Sequence, residues 1–281
     1  MSSLVVRSVD RLRAEGRLAW GRLTASGRPL PDFLVIGVQR AGTTSLFRDL
    51  KRHPQVIAAS TKEVHYFDYH HGRGQGWYRA HFPHRRTLVA HPGAPPVTGE
   101  ATPNYLFHPH APRWVGTELP QARLIVVLRD PVQRAYSHWK LNRRIGLEDL
   151  SFSEAVEREE ERIGPDRRLL EADPAYPAYD LFRFSYAARG TYAAQLERWH
   201  AAIPRERFLV VRSEDLRASP DATFAQITDF IGVSRWRPPE FSHAHASTGG
   251  GGEGIPEPTR QRLERYFEPH QRRLTELLDA T

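Results

Sequence analysis

Residues 32–45 read Asp-Phe-Leu-Val-Ile-Gly-Val-Gln-Arg-Ala-Gly-Thr-Thr-Ser and decide the fold. The apolar run that ends at Gly37 is typical of a parallel strand buried on both faces. A helical pattern follows from Thr43 to Arg52. A strand, a glycine-bearing turn and a helix in this order surround an anion with backbone N–H groups and a helix N-terminus. A simple helix cap at Thr43 or Thr44 would give the same local pattern.

Further apolar segments along the chain predict strands, and helical patterns separate them. This alternation predicts an α/β fold of three layers, with a central, mainly parallel sheet flanked by helices. The predicted strands are Asp32–Gly37, Pro96–Glu100, Arg123–Arg129 and Arg207–Arg212. The predicted helices are Thr43–Arg52, Val132–Arg144, Phe152–Leu170, Thr191–Ala202, Asp221–Ile231 and Glu257–Leu278.

Prolines mark a boundary near the start of the chain. Pro29 and Pro31 separate residues 1–30, which alternate apolar residues with arginine, from a single domain over residues 31–281. The first segment is predicted to be a basic amphipathic helix packed on the domain. A peripheral contact with a membrane surface or a partner is the alternative.

Composition excludes several kinds of chemistry. The chain has no cysteine, which rules out disulfides, thiolate zinc sites and cysteine nucleophiles. A formal net charge of +7 indicates an anionic partner without saying which one. No apolar run approaches the roughly 20 residues of a membrane span, and no apolar signal-peptide core is visible, so we expect a cytoplasmic protein. A glycine-rich polar loop is predicted over residues 242–254.

The first turn differs from a nucleotide-kinase phosphate loop. When the pattern G-x-x-x-x-G-K-[ST] is placed on Gly37, its lysine position falls on Thr43. The cation lies earlier, at Arg40, and Thr44 and Ser45 add hydroxyl groups. This pattern disfavours a Mg²⁺-dependent kinase and suits a donor with one phosphate and one sulfate.

A second anion site is predicted after the strand that begins at Arg123. Arg129 stands at the carboxyl end of that strand, and Ser137 lies about two turns into the next helix, at the edge of the sheet where α/β proteins bind ligands. A guanidinium and a hydroxyl directed at one spot form a monophosphate site. Asp130 is predicted to cap the helix, and Arg134 is either a solvated charge or a ligand.

These motifs resemble those of sulfotransferases that use PAPS (3′-phosphoadenosine 5′-phosphosulfate), above all the heparan-sulfate and Golgi-type carbohydrate enzymes and their bacterial relatives. The resemblance covers most of residues 31–235 and implies a P-loop NTPase-like fold with PAPS between the two motifs and no metal. It rests on the segments Phe33–Leu46, Lys62–Asp68, Gly99–Tyr105, Arg123–Ser137, Arg189–Tyr192 and Glu214–Leu216. By resemblance, the phosphosulfate would be held by Arg40, Ala41, Gly42, Thr43, Thr44 and Ser45, and the 3′-phosphate by Arg129 and Ser137. Tyr192 would also belong to the residues that bind the cofactor. The family's usual lysine in the first loop is Arg40 here.

The resemblance also implies the catalytic base. Segment 62–68 reads Lys-Glu-Val-His-Tyr-Phe-Asp, and on the residues alone it would be a surface turn over core aromatics. In the family, the similar segment carries the catalytic glutamate, which is Glu63 here. His65 and Asp68 would line the site, with His65 orienting the acceptor or sharing proton transfer. Glu100 is the alternative base, with Tyr105 facing the acceptor.

The sequence therefore predicts a PAPS-dependent sulfotransferase that acts on a hydroxyl or amine, with a carbohydrate as the acceptor implied by the resemblance. The alternatives are a nucleotide kinase of the same fold and a basic nucleic-acid-binding protein. The arginines are spread over many helices and no recognition motif is present, so no nucleic-acid partner is expected. The histidines at 70–71, 108 and 110 show no convergent ligand set, so no metal is expected either.

Overall fold

Four parallel strands form the centre of the molecule in a computed structural model, which describes residue 16 and residues 18–89, 95–242 and 254–280. The strands are β1 (Phe33–Gly37), β2 (Gly99–Ala101), β3 (Arg123–Leu128) and β4 (Phe208–Arg212). Their order across the sheet is β2-β1-β3-β4, and every pairing is parallel. The predicted α/β fold with a central parallel sheet is confirmed.

Twelve α-helices of the described chain follow residue 28 and surround this sheet. They are α1 (Thr43–Leu50), α2 (Gln75–Arg79), α3 (Arg85–Val89), α4 (Ala111–Glu118), α5 (Pro131–Arg144), α6 (Phe152–Glu157), α7 (Glu159–Ala172), α8 (Tyr179–Phe184), α9 (Tyr192–His200), α10 (Asp215–Ala218), α11 (Pro220–Ile231) and α12 (Glu257–Asp279). Short 3-10 helices lie at Ala25–Gly27, His71–Arg73, Ala188–Gly190 and Arg205–Arg207.

The central strands are buried because their side chains are apolar on both faces. Val35 of β1 pairs with Ala101 on one side and with Ile125 on the other, and all three are fully buried. Helix α1 packs on β1 and β2, and α11 packs on β3 and β4. The carboxyl ends of β1, β2 and β3 therefore meet at one edge of the sheet, where the loops of interest begin.

Two predicted elements differ from the structure. The helix expected over residues 152–170 is broken at Arg158, which separates α6 from α7. Glu159, directly after the break, is buried and accepts hydrogen bonds from the amides of Ala187 and Ala188, a tertiary contact that periodicity does not reveal. The strand expected over residues 96–100 forms the ladder only from Gly99, because Val97 bridges to Val56 instead.

Two other expected segments fall largely outside the described residues. Of the basic segment over residues 1–30, residues 18–23 are helical, and Trp20 and Leu23 are 64% and 81% exposed. Residues 1–15 and 17 and most of the loop predicted over 242–254 lie outside the described part. No helix in the described ranges combines the length and the apolar character needed to cross a bilayer.

Candidate functional site

The loop after β1 presents the start of a helix to open space. Gly42 has a φ of 98° and leads into α1, which begins at Thr43. A β-carbon at Gly42 would meet no atom of the described residues within 4 Å, so they leave room beside this turn. The first amides of a helix have no partner within the helix, and the positive end of the helix dipole lies there. The turn is thus suited to hold an anion.

Arg40 joins this loop to the second predicted motif. Its Nε donates to Oγ of Ser137 at 3.0 Å, and Nη1 of Arg129 donates to the carbonyl oxygen of Arg40 at 2.8 Å. The three residues that the sequence assigned to two separate anion sites therefore lie in contact. The loop from Arg40 to Ser45 and the end of β3 form one continuous cationic surface.

The arginines of this surface are only partly compensated. Burial lowers the pKa of Arg40, and the guanidinium groups of Arg129 and Arg144 lower it further. Burial and the nearby Arg217 likewise lower the pKa of Arg129, while Glu214 opposes this. Cations that depress one another's pKa are stabilised by a bound anion, because the anion supplies the missing opposite charge.

Two other charged residues of the second motif have structural roles. Oδ1 of Asp130 accepts from the amide of Gln133 at 2.7 Å, so the predicted helix cap is confirmed. Arg134 is fully buried and donates to the carbonyl oxygens of Ser185 and Tyr186. It is therefore neither a solvated charge nor placed at the surface where a ligand would bind.

A cavity of about 520 Å³ opens beside Arg129, between the ends of β3 and β4 and helix α12. Tyr192, which is buried, donates its hydroxyl to the carbonyl oxygen of Arg129 at 2.9 Å and lines this cavity. Arg212, the last residue of β4, lines it as well. The sequence placed a strand up to Arg212 but gave it no site role; its position at the carboxyl end of a parallel strand was the available signal.

The segment with Glu63 is fixed to β2. The amide of Glu63 donates to the carbonyl oxygen of Ala101 at 3.1 Å, and the amide of Tyr66 donates to the hydroxyl of Tyr105 at 2.8 Å. The amide of His65 contacts Oγ1 of Thr102 at 3.4 Å. The loop thus lies at the same sheet edge as the cationic surface.

Strain is concentrated in these two loops. The described residues include four non-glycine positions with positive φ, and three of them are Arg40 at 74°, Glu63 at 58° and His65 at 57°. Such conformations cost on the order of 1–3 kcal/mol each and persist where the surrounding structure imposes them. Their concentration here supports a functional role for both loops.

Three predicted catalytic residues form a connected group. Oδ2 of Asp68 lies 2.7 Å from Nδ1 of His65, and Nε2 of His65 lies 3.5 Å from Oε2 of Glu63. Lys62 pairs with the other oxygen of Glu63. The side chain of Asp68 is fully buried, while that of Glu63 is 37% exposed. Glu63 can therefore reach a ligand, whereas the buried Asp68 can reach one only through His65.

The contacts set opposite pKa changes in this group. Burial alone would raise the pKa of Glu63, but hydrogen bonds from His65 and Lys62 and their charges outweigh it and lower the pKa to about 2. Burial alone would lower the pKa of His65, but its bonds to Asp68 and Glu63 raise it to about 9. At neutral pH the group holds an ionised glutamate beside a protonated histidine.

Glu100 does not occupy a position suited to a base. It is fully buried and accepts from the hydroxyls of Thr102, Tyr78 and Tyr105 at 2.6, 2.8 and 2.9 Å. Tyr105 is also fully buried, so it does not face an acceptor. The alternative in which Glu100 is the base is wrong for this structure, because both of its oxygens are buried and accept hydrogen bonds from these hydroxyls.

The sequence analysis did not identify Asn104 and Arg189, which connect to Asp68 through hydrogen bonds. Nδ2 of Asn104 donates to Oδ2 of Asp68 at 2.9 Å, and Nη2 of Arg189 donates to Oδ1 of Asn104 at 2.7 Å. Both residues lie in segments quoted for the family resemblance, but only the fold brings them together. Over the described ranges, no three His, Asp or Glu side chains are grouped as metal ligands.

Comparison with known proteins identifies the family of the chain. A family model described as a sulfotransferase domain matches residues 30–240. Heparan sulfate glucosamine 3-O-sulfotransferase 6 of Mus musculus is 31% identical, over 95% of this chain and 77% of that protein. The human bifunctional heparan sulfate N-deacetylase/N-sulfotransferase 3 is 29% identical, over 78% of this chain and 24% of that protein.

A solved sulfotransferase structure has the same fold. The sulfotransferase from Alicyclobacillus acidocaldarius superposes with a TM-score of 0.66 at 27% identity, covering 89% of this chain and 96% of that one. The family model alone spans well over half of the residues. The chain therefore belongs to the sulfotransferase domain family and is an enzyme that transfers sulfate.

Proposed function

We propose that the chain transfers a sulfuryl group from PAPS to a hydroxyl or amine of a glycan acceptor, with Glu63 as general base. The observation that carries this proposal is the contact of Arg40 with Ser137 at 3.0 Å, beside the backbone bond from Arg129 to Arg40. It brings a helix N-terminus and two arginines to one edge of the sheet. A donor with anionic groups at both ends needs such a pair of adjoining anion sites.

The residues fit this donor. The turn from Arg40 to Ser45 offers a guanidinium, backbone amides and hydroxyls to a phosphosulfate group. Arg129 stands between this turn and the cavity of about 520 Å³, which is large enough for part of a nucleotide. We assign the 3′-phosphate to Arg129 and Ser137, and the nucleoside to the cavity lined by Tyr192 and Arg212.

The chemistry assigned to the chain is an in-line displacement. Glu63 takes the proton of the acceptor hydroxyl while the acceptor oxygen forms its bond to sulfur. The bond from sulfur to the phosphate oxygen breaks, and 3′-phosphoadenosine 5′-phosphate (PAP) leaves with the electron pair. Arg40 and the start of α1 stabilise the charge that develops on the leaving phosphate.

Lys62 regulates how basic Glu63 is. It pairs with Glu63 in the present structure and contributes to the low pKa of that carboxyl. When Lys62 turns toward the sulfonate of the donor, Glu63 loses one of the two cations that hold it ionised. Its affinity for a proton then rises when the donor is in place.

A glycan acceptor is supported by the names of the relatives. One is named as a heparan sulfate glucosamine 3-O-sulfotransferase and another as a heparan sulfate N-deacetylase/N-sulfotransferase, so both hydroxyl and amine acceptors belong to the proposal. The partly exposed Glu63 and the cationic residues around it suit an accessible, acidic sugar chain. A cytoplasmic location remains a prediction, which cell fractionation would test.

The test is a transfer assay with ³⁵S-labelled PAPS over heparan-type glycans, glycolipids and small hydroxylated metabolites, together with binding of PAP and of ATP to the same protein. We expect label transfer to a glycan, and tight PAP binding without Mg²⁺. Tight ATP binding with phosphate transfer and no PAP binding would favour the kinase. Label transfer only to small metabolites would retain the donor assignment and overturn the glycan acceptor.

A further inference from the structure

A buried line of hydrogen bonds continues from His65 into the core. His65 lies 2.7 Å from Asp68, Asn104 donates to the same carboxylate oxygen of Asp68 at 2.9 Å, and Arg189 donates to Asn104 at 2.7 Å. Asp68, Asn104 and Arg189 are 6%, 8% and 4% exposed. The loop over residues 62–68 is therefore connected to the turn before α9 through buried polar groups.

The chemistry of the two ends fixes the orientation of Asn104. A guanidinium can only donate hydrogen bonds and a carboxylate can only accept them. The amide oxygen of Asn104 must face Arg189, and its NH₂ group must face Asp68. Asn104 is thus the bridge that the two opposite charges share, and a side chain without both functions cannot replace it.

Arg189 is a buried cation that needs this bridge. It also donates to the carbonyl oxygen of Phe182 at 3.1 Å, and its guanidinium lies 4.5 Å from the centre of the ring of Phe107. Burial, followed by the repulsion from Arg134, lowers its pKa to about 9. In the described ranges no carboxylate pairs with it directly, so its charge is balanced through Asn104 and Asp68.

We propose that Asn104 and Arg189 are positioning residues for sulfuryl transfer: they hold the carboxylate of Asp68 so that His65 keeps its orientation toward Glu63. This inference rests on the proposed role of Glu63 and His65. Asp68 has one further described bond, from the amide of Tyr69 to its other oxygen at 2.6 Å. Without Asn104, the oxygen that faces His65 has no second partner to keep it in place.

The first measurement follows the ionisation of His65 and does not depend on activity. In Asn104→Ala, Asp68 turns away from Nδ1 of His65, and we expect the pKa of His65, read from its ring NMR signals, to fall toward its ordinary value. The variant keeps every titratable or charged group that faces His65 and Asp68: Lys62, Glu63, Tyr69, His70, Tyr105, His108 and Arg189. An unchanged pKa in a folded variant would overturn the proposal.

The second measurement is a double-mutant cycle on kcat. We expect Asn104→Ala to lower kcat about tenfold with His65 present and less than about twofold in the His65→Asn background, because its effect passes through that ring. The PAP dissociation constant should stay within about twofold, since no donor contact is touched. An equal loss of kcat in both backgrounds would show an ordinary structural role and overturn the proposal.

Matched variants separate positioning from stability. Asn142 is also a buried asparagine, bonded to the carbonyl oxygen of Arg183 and the hydroxyl of Tyr186, so Asn142→Ala loses comparable contacts away from the loop. It should leave the pKa of His65 unchanged. Because Asn104→Ala lowers stability, Asn104→Ser and Arg189→Lys are measured too, and each should show a smaller change of the same sign.

The outcomes also separate this inference from the proposed function. If the wild type transfers no sulfate from PAPS, the proposed function fails, while the NMR result for His65 still decides whether Asn104 positions it. If His65→Asn transfers at the wild-type rate, His65 has no role in the reaction, and the positioning proposal fails while PAPS-dependent transfer stands.

Discussion

Arg40 donates from Nε to Oγ of Ser137 at 3.0 Å, across 97 positions of the chain. Arg129 bonds to the backbone of Arg40, and Tyr192 in turn bonds to the backbone of Arg129. The loop after β1, the end of β3 and the start of α9 are therefore one hydrogen-bonded unit. A change at one of these positions should affect binding of both ends of the donor.

Removal of Arg129 tests the donor side. Arg129→Ala should weaken PAP binding about 10- to 100-fold, because a charge-assisted contact to phosphate is lost and Arg40 loses its backbone partner. Isothermal titration with PAP measures this effect. The control is Arg235→Ala, which removes an arginine that is 82% exposed and should leave PAP binding unchanged. Equal affinities of the wild type and Arg129→Ala would place the 3′-phosphate elsewhere.

Replacement of Arg40 by lysine tests the departure from the family pattern. The guanidinium can keep Nε on Ser137 and still direct its terminal nitrogens toward the donor, whereas an ammonium serves one partner at a time. We expect Arg40→Lys to weaken PAP binding about 3- to 10-fold and Arg40→Ala to weaken it further. The matched variant Ser137→Ala removes the other partner of this contact and should weaken PAP binding by a smaller factor than Arg40→Ala. Tighter PAP binding by Arg40→Lys would show that the Ser137 contact is not needed.

Glu63→Gln separates the chemical step from donor binding. The amide cannot accept the acceptor proton, so transfer should fall about 10²- to 10⁴-fold, while PAP affinity stays within about twofold. Single-turnover transfer of label from PAPS measures the first quantity, and titration with PAP measures the second. Wild-type transfer by this variant would show that Glu63 is not the base.

The pKa values of the Glu63–His65 pair predict the pH dependence. With a pKa of about 2, Glu63 is ionised throughout the usable range, so it gives no acidic limb. His65 has a pKa of about 9, and above it the ring no longer donates to Glu63. We expect kcat/KM, which reports the ionisation of the free enzyme, to be level from about pH 6 to 8 and to fall above about pH 9, with no such fall in His65→Asn. A fall centred near the ordinary histidine value would contradict the raised pKa.

The same shift has a consequence for stability. Since the folded-state pKa of His65 is raised above its ordinary value of 6.5, its stabilising contribution is complete below that value and is lost as the pH rises through about 9. The melting temperature of the wild type should therefore approach that of His65→Asn at alkaline pH. A difference that is constant from about pH 6 to 10 would exclude this linkage.

The sequence predicted the central sheet and the two turns that follow β1 and β3, because each strand is a short apolar run with a distinct residue at its carboxyl end. Arg40, Arg129 and Ser137 could be named because polar residues that follow buried parallel strands meet at one edge. What could not be predicted is the contact between Arg40 and Ser137, since side-chain reach depends on the backbone angles of the turn, including the φ of 74° at Arg40.

The surroundings of the loop over residues 62–68 were harder to predict for a related reason. Glu100 and Asn104 lie in a segment that carries several polar residues, and spacing alone cannot say which of them faces the core. In the structure, Glu100 is directed inward to three hydroxyl groups and Asn104 toward Asp68. Asn104 lies 36 positions from Asp68, and Glu100 lies 22 positions from Tyr78, so buried polar pairings of this kind leave no periodic signal.

Glu100→Gln tests the structural role assigned to that residue. Its carboxylate accepts from three hydroxyls and contacts the amide of Val64 at 3.4 Å, and an amide has only one oxygen to accept them. We expect the free energy of unfolding to fall by about 2–4 kcal/mol, because buried donors lose their acceptor. Well below the melting temperature, kcat should stay within about tenfold of the wild type, since Glu63 remains. Tyr78→Phe removes one of the same donors and should cost about 1 kcal/mol. Loss of transfer in Glu100→Gln equal to that in Glu63→Gln, at unchanged stability, would restore Glu100 as the base.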